Sequence, residues 1–66
     1  MEIVINGHPR QVPEGQRVLD LLASLELDPA RLALELDGRI LQSSYWGETV
    51  LHPGARLEIV HFVGGG

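Results

Sequence analysis

Asn6-Gly7 and Asp37-Gly38 constrain this chain most, because each is a two-residue hairpin signal set among alternating apolar residues. Asn-Gly and Asp-Gly accept the positive φ angles of the tight turns whose twist matches the strands they join. Before the first turn, Met1, Ile3 and Ile5 share one face of an expected strand over 1–5, with Glu2 and Val4 on the other. A short return strand over 8–12 should follow, ended by Pro13. Pro9 within it marks a sheet edge, since proline cannot donate to a central ladder. Before the second turn, Leu32, Leu34 and Leu36 alternate with Ala33, Glu35 and Asp37, which describes a half-buried strand. A short strand over 39–42 comes next, and after the Pro53-Gly54 turn a last strand over 56–63.

One helix lies between the hairpins. Val18, Leu21, Leu22 and Leu25 repeat at i, i+3, i+4 and i+7, the spacing of one apolar helical face. Its start is weakly marked, because neither Gln16 nor Arg17 is a good capping residue. Asp28-Pro29 pairs a cap with a first-turn proline and predicts one further helical turn near Ala30-Arg31. Residues 43–49 read as irregular, with Trp46 covering one end of the core from beneath a long loop. The resulting order, β-β-α-β-β-β, is an α+β fold: one mixed sheet of about five strands with one main helix across it. The first and last strands are the most apolar, so they are expected at the centre and parallel. The expected core is Ile3, Ile5, Val18, Leu21, Leu22, Leu25, Leu34, Leu36, Leu57 and Ile59.

A chain of 66 residues is one domain, and at this size only about 60% of the unfolded surface is buried, leaving little room for a deep substrate cavity. The absence of cysteine excludes disulfides, thiol catalysis and thiolate metal sites, and the absence of lysine excludes Schiff-base chemistry. A net charge of −4 suits a partner with a basic surface and not a phosphate backbone. No apolar run is long enough to span a bilayer. Met1-Glu2-Ile3 lacks the pattern of a signal peptide, so a soluble cytoplasmic protein is the expectation. His8, His52 and His61 have no metal-site spacing, the carboxylates are scattered, and no serine sits in a nucleophile elbow. These groups read as solvated surface, so no catalytic residue and no metal site is expected, and the chain is read as a non-enzyme.

The anomaly is the run Gly64-Gly65-Gly66, directly after an apolar strand. Residues 1–63 form the expected domain and 64–66 a tail. Glycines pack nothing, so the tail is expected to be extended and mobile. With Val63 it could reach roughly 13–14 Å and thread a channel too narrow for side chains. It would then present a terminal carboxylate, ionised near neutral pH and inert until activated, for example as an acyl-adenylate. If Leu57 and Ile59 face the core, Val60 and Phe62 face outward, with Val4 on the neighbouring strand and Ala33 nearby, rimmed by Glu2, Glu35 and Glu58. Val4, Val60, Phe62 and Val63 are therefore the expected partner-binding residues.

These segments resemble the ThiS family of sulfur carriers, which have the ubiquitin-like β-grasp fold. The resemblance covers essentially the whole length. Its specific parts are Leu32-Ala33-Leu34-Glu35-Leu36-Asp37-Gly38-Arg39-Ile40, Trp46-Gly47-Glu48-Thr49-Val50-Leu51, and Pro53-Gly54-Ala55-Arg56-Leu57-Glu58-Ile59-Val60 with the tail. The chain departs from the family pattern at Gln42-Ser43, where Pro-Arg is common, and at Arg17, where Thr or Ser is common. The resemblance implies that a ThiF-like adenylating enzyme uses ATP to activate Gly66, and that the chain itself binds no cofactor. The adenylate would become a thiocarboxylate with sulfur supplied through a cysteine desulfurase, and a ThiG-like thiazole synthase would take the sulfur. Gly64 and Gly65 would be the threading tail. Alternatives are a related carrier for molybdopterin synthesis or tRNA thiolation, a ubiquitin-like protein modifier, and an inert interaction module.

Overall fold

The computed structural model describes residues 1–62; Val63 and the expected tail 64–66 lie outside the described residues. Four strands follow the sequence closely: β1 (Glu2–Ile5), β2 (His8–Gln11), β3 (Leu32–Leu36) and β4 (Arg39–Ile40). The helix α1 is Val18–Ser24, and the last strand, β5, is Arg56–His61. The sheet runs β2-β1-β5-β3-β4. β1 and β5 are parallel and the other neighbours antiparallel, which makes the sheet mixed, with β5 at its centre. Among the described residues no helix is long and apolar enough to cross a membrane.

Both hairpins use the expected turns. Asn6 and Gly7 have φ of 49° and 81°, and Asp37 and Gly38 have 51° and 85°, all in the left-handed region those turn residues tolerate. Pro9 sits opposite Val4 on the edge strand. Val4 sends its N–H the other way, to Ala55 O at 2.8 Å, so Pro9 occupies a position that needs no donor toward β1. β4 is shorter than the expected 39–42: Leu41 N–H still bonds Leu34 O, but the chain then turns away into a 3-10 turn, Ser43–Tyr45.

The buried layer lies between α1 and the sheet: Ile3, Val18, Leu21, Leu22, Leu34, Leu57 and Ile59 are joined by Val12, Leu32, Trp46, Leu51 and Ala55. Ile5, Leu25 and Leu36, expected in the core, are only partly buried against it. A seven-residue helix is only about 10 Å long and cannot cover the ends of the sheet. The expected cap at Asp28 is present, with Asp28 Oδ1 accepting Ala30 N–H at 3.0 Å ahead of the 3-10 turn Pro29–Arg31.

The weakly marked start of α1 is solved by tertiary contacts. Thr49 O accepts Val18 N–H and Trp46 O accepts Leu19 N–H, both at 3.0 Å, while Asp20 Oδ2 accepts Arg17 N–H at 3.2 Å. Helix starts carry unpaired N–H groups, and here the 46–49 loop serves where a Ser or Thr side chain would.

Asn6 does a second task beyond its turn. Its carboxamide accepts Ile59 N–H at 2.7 Å and donates to Ile59 O at 3.2 Å, so a side chain extends the β1–β5 ladder. Asn6→Ala is expected to cost about 2 kcal/mol, from two part-buried hydrogen bonds and an alanine at positive φ. Urea denaturation checks this; a loss below about 0.5 kcal/mol would show the bonds to be dispensable.

Candidate functional site

The outer face of the sheet, away from α1, is set by strand alternation. Leu57 and Ile59 point to the core, so Arg56, Glu58 and Val60 point out, and from β3 so do Ala33 and Glu35. Register then makes neighbours: Val60 lies opposite Ala33, Glu58 opposite Glu35, and Glu35 opposite Ile40. Val60 and Phe62 are each 57% exposed and Ile40 is 80% exposed. Ala33, Glu35, Ile40, Glu58 and Val60 line a shallow depression of about 130 Å³. Phe62 N–H is held by Arg31 O at 2.9 Å, so backbone pairing continues to the last described residue.

The expected patch is thus partly assembled. Val60, Phe62 and Ala33 are together, and Ile40, which the sequence reading missed, extends the apolar surface toward β4. Its signal was available, since Ile40 follows the Asp37-Gly38 turn and must pair with Glu35 in a two-residue hairpin. Val4 faces outward but is half-buried and lies opposite Arg56. That places it four residues, roughly 13 Å along the strands, from Val60. Glu2, opposite Gln11 on the β2 side, is likewise no rim of this patch. Val63, Gly64, Gly65 and Gly66 fall outside the described residues. A larger groove of about 300 Å³ lies on the β1–β2 side, lined by Ile5, Asn6, His8, Pro9, Arg10 and Leu25. None of the expected site residues lines it.

Among the described residues no three His, Asp or Glu side chains gather into a metal-binding group. The histidines are not all plain surface groups, however. His52 Nε2 lies 2.7 Å from Asp37 Oδ2 and His52 Nδ1 lies 2.9 Å from Pro53 O, while Asp37 Oδ1 accepts Arg56 N–H at 3.0 Å. Both ring nitrogens face acceptors, an arrangement that a doubly protonated imidazolium satisfies. The cluster clasps the β3–β4 turn to the start of β5. Its hydrogen bond to Asp37, then that to Pro53 O, raises the His52 pKa above its ordinary 6.5. The same His52 bond, then the Arg56 N–H, lowers Asp37 below its ordinary 3.8.

A raised imidazole adds stability that is full below 6.5 and is lost as pH rises through its folded value. A lowered carboxyl adds stability that is full above 3.8 and is lost as pH falls through its folded value. Both contributions hold between about pH 4 and 6.5. Followed from about pH 5 to 10, the thermal stability gap between the protein and His52→Gln is therefore expected to be widest at the acid end and to narrow as pH rises through the raised His52 value. A gap constant across that range would show the clasp to be independent of His52 charge.

A sheet of order β2-β1-β5-β3-β4 crossed by one helix, with a glycine run following its central strand, is matched as a whole by one family model, ThiS family, over residues 3–66. The chain belongs to the ThiS family. It is 27% identical over 66 residues to the sulfur carrier protein ThiS of Escherichia coli, covering all of both chains. It is 36% identical over 66 residues to a thiazole synthase of Paramagnetospirillum magneticum, covering all of this chain and 20% of that protein. The chain thus spans about a fifth of the length of the thiazole synthase it matches. In structure it superposes on the thiamine biosynthesis protein ThiS of Geobacter metallireducens with a TM-score of 0.86, at 30% identity and full coverage of both chains. The α+β expectation, a ubiquitin-like β-grasp with one mixed five-stranded sheet, therefore holds throughout the described residues.

Proposed function

We propose that this ThiS-family chain is the sulfur carrier of thiazole synthesis in thiamine biosynthesis, and that Gly66 is the residue that carries the sulfur. The observation that carries the reading is the family match, which runs through Gly64 and Gly65 to Gly66. The physical setting supports it. β5 is the central strand and is hydrogen-bonded up to Phe62, so the glycine run follows a firmly held base. Gly66 lends its carboxylate to an adenylating enzyme, where it attacks ATP and forms an acyl-adenylate with release of pyrophosphate. The outer sulfur of a persulfide, drawn from cysteine through a desulfurase, displaces AMP to give an acyl disulfide. A second thiol of the partner then attacks the partner's sulfur, closing a disulfide there and releasing the thiocarboxylate. The thiazole synthase then takes the sulfur.

In this scheme ATP is bound by the adenylating partner, and the chain is a co-substrate that contributes no catalytic residue. It works in the cytoplasm, where ATP and the desulfurase are found. Val60 and Phe62, with Ala33 and Ile40, form the docking surface, and Val63 continues it, with Val4 on the neighbouring β1 at its far margin. Relatives named for thiazole synthesis and thiamine biosynthesis favour that destination over molybdopterin synthesis, tRNA thiolation or protein modification. Intact-mass measurement after incubation with the adenylating enzyme, ATP and a sulfur donor tests the reading. Exchange of one oxygen for one sulfur, located to Gly66, is expected; lysine-linked adducts without that exchange would support a protein modifier instead.

A further inference from the structure

We propose that the backbone of His61, on the edge of β5 that faces β1, is where an extended segment of the thiazole synthase adds to the sheet. This rests on the sulfur-carrier reading and specifies how its acceptor grips the carrier. Successive residues of a paired strand direct their N–H and C=O groups to alternate edges. Along β5 the even-numbered residues serve β3: Arg56 O accepts Asp37 N–H at 2.8 Å, and Phe62 N–H donates to Arg31 O at 2.9 Å. The odd-numbered side serves β1: Ala55 O and Leu57 O accept the N–H groups of Val4 and Asn6, both at 2.8 Å. His61 belongs to the second set. Its N–H and C=O therefore point toward β1 and not toward Leu32, its neighbour in the β3 register.

β1 does not reach that far. Its parallel pairing with β5 ends at Ile5 and Leu57, and the chain then turns at Asn6-Gly7. The Asn6 carboxamide stands in for the missing backbone at Ile59, accepting its N–H and donating to its C=O. At His61, which is exposed, no described residue pairs with that edge. An unpaired N–H and C=O on a strand is a template for another strand. Strand addition draws affinity from main-chain bonds and specificity from alternate side chains. A place for one such side chain adjoins the edge. The groove of about 300 Å³ shares Asn6, has apolar walls of Ile5, Pro9 and Leu25, and is also lined by His8 and Arg10. It suits an apolar or acidic side chain. The occupant is taken to be the synthase because two proteins of that name contain a counterpart of this whole domain within their own chains. The edge also leads into the glycine run, so a segment seated there stands at the root of the group the synthase must receive.

The test is a chemically assembled chain methylated on the backbone nitrogen of His61, which removes the N–H, fills the open edge and keeps the imidazole. The melting temperature should stay within about 2 °C of the unaltered chain, while affinity for purified thiazole synthase falls at least about tenfold. The same methylation at Phe62, whose N–H is bonded within the fold, should lower the melting temperature instead. Amide exchange on the unaltered protein gives a second readout: His61 should exchange faster than Val60 and Phe62 in the free protein and become protected on synthase binding. A His61 amide already protected in the free protein overturns the proposal, as does a His61-methylated chain that binds the synthase undiminished. Binding lost only toward the adenylating enzyme overturns the choice of synthase. Sulfur loading of the unaltered protein tests the carrier reading separately: normal loading with undiminished synthase binding by the methylated chain overturns the strand contact alone, and absence of both loading and synthase binding overturns both.

Discussion

In a chain ending at Gly66, deleting that residue is expected to cut sulfur loading at least about 100-fold and to leave thermal unfolding unchanged. The two halves of this expectation have separate causes. Glycine has no side chain to bury, so its removal takes no apolar area from the core, and the described core reaches only to Ile59. Loading depends instead on where the carboxylate stops. Shortening an extended chain by one residue withdraws its end by about 3.5 Å. A displacement of even 1 Å from the attacking geometry can cost about a hundredfold in rate. Intact mass after incubation with the adenylating enzyme, ATP and a sulfur donor reads the first half, and a melting curve reads the second. Undiminished sulfur loading in the shortened chain would falsify the assignment of Gly66.

Trp46→Ala should have the largest effect on the fold itself, a loss of about 3–5 kcal/mol. Trp46 is 2% exposed and is the largest of the fully buried side chains. Its Nε1–H donates to Leu41 O at 2.9 Å, and its own carbonyl accepts Leu19 N–H at the start of α1. One ring thus fills the core, holds the segment after β4 and positions the loop that caps the helix. A domain of this size rarely has more than about 3–5 kcal/mol in total, so the alanine variant should be largely unfolded at 25 °C. Trp46→Phe keeps most of the apolar contact and loses the N–H donor, which should cost closer to 1–2 kcal/mol, including the orphaned Leu41 carbonyl. Circular dichroism with urea titration distinguishes the two. An alanine variant weakened by less than about 1 kcal/mol would mean that the loop collapses into the space.

Much of the local architecture was legible in the chain, because the signals act over a few residues. Asn6-Gly7 and Asp37-Gly38 set their turns, Pro9 marked an edge, and Asp28-Pro29 started its 3-10 turn. Trp46 was read as a cover over one end of the core, and it proves to be part of the core itself. Val12, Leu32, Leu51 and Ala55 are buried without belonging to the expected core. Val12, Leu51 and Ala55 lie at a strand end or in irregular segments, where no periodicity identifies an inner face, whereas alternation did set Leu32 on the face of Leu34. Ile5, Leu25 and Leu36 show the converse: their pattern assigned the correct face, but pattern cannot measure how far a short helix extends over a sheet.

The candidate site divides in the same way. That Val60 and Phe62 face outward follows from alternation along one strand. That Ile40 joins them while Val4 lies at the far margin depends on register between strands far apart in sequence. The Glu35–Glu58 pairing, the Asn6 contact with Ile59 and the His52–Asp37 clasp are likewise meetings across the sheet. By itself the sequence determined the turns, the order of the elements, the inner faces of β1, β3 and β5, and the glycine run. Tertiary structure alone decided which surfaces are neighbours and which loop caps the helix. The physical reason is range: turn chemistry and side-chain periodicity act between residues a few positions apart. The insertion of β5 between β1 and β3 brings together residues whose separation along the chain carries no record of their contact.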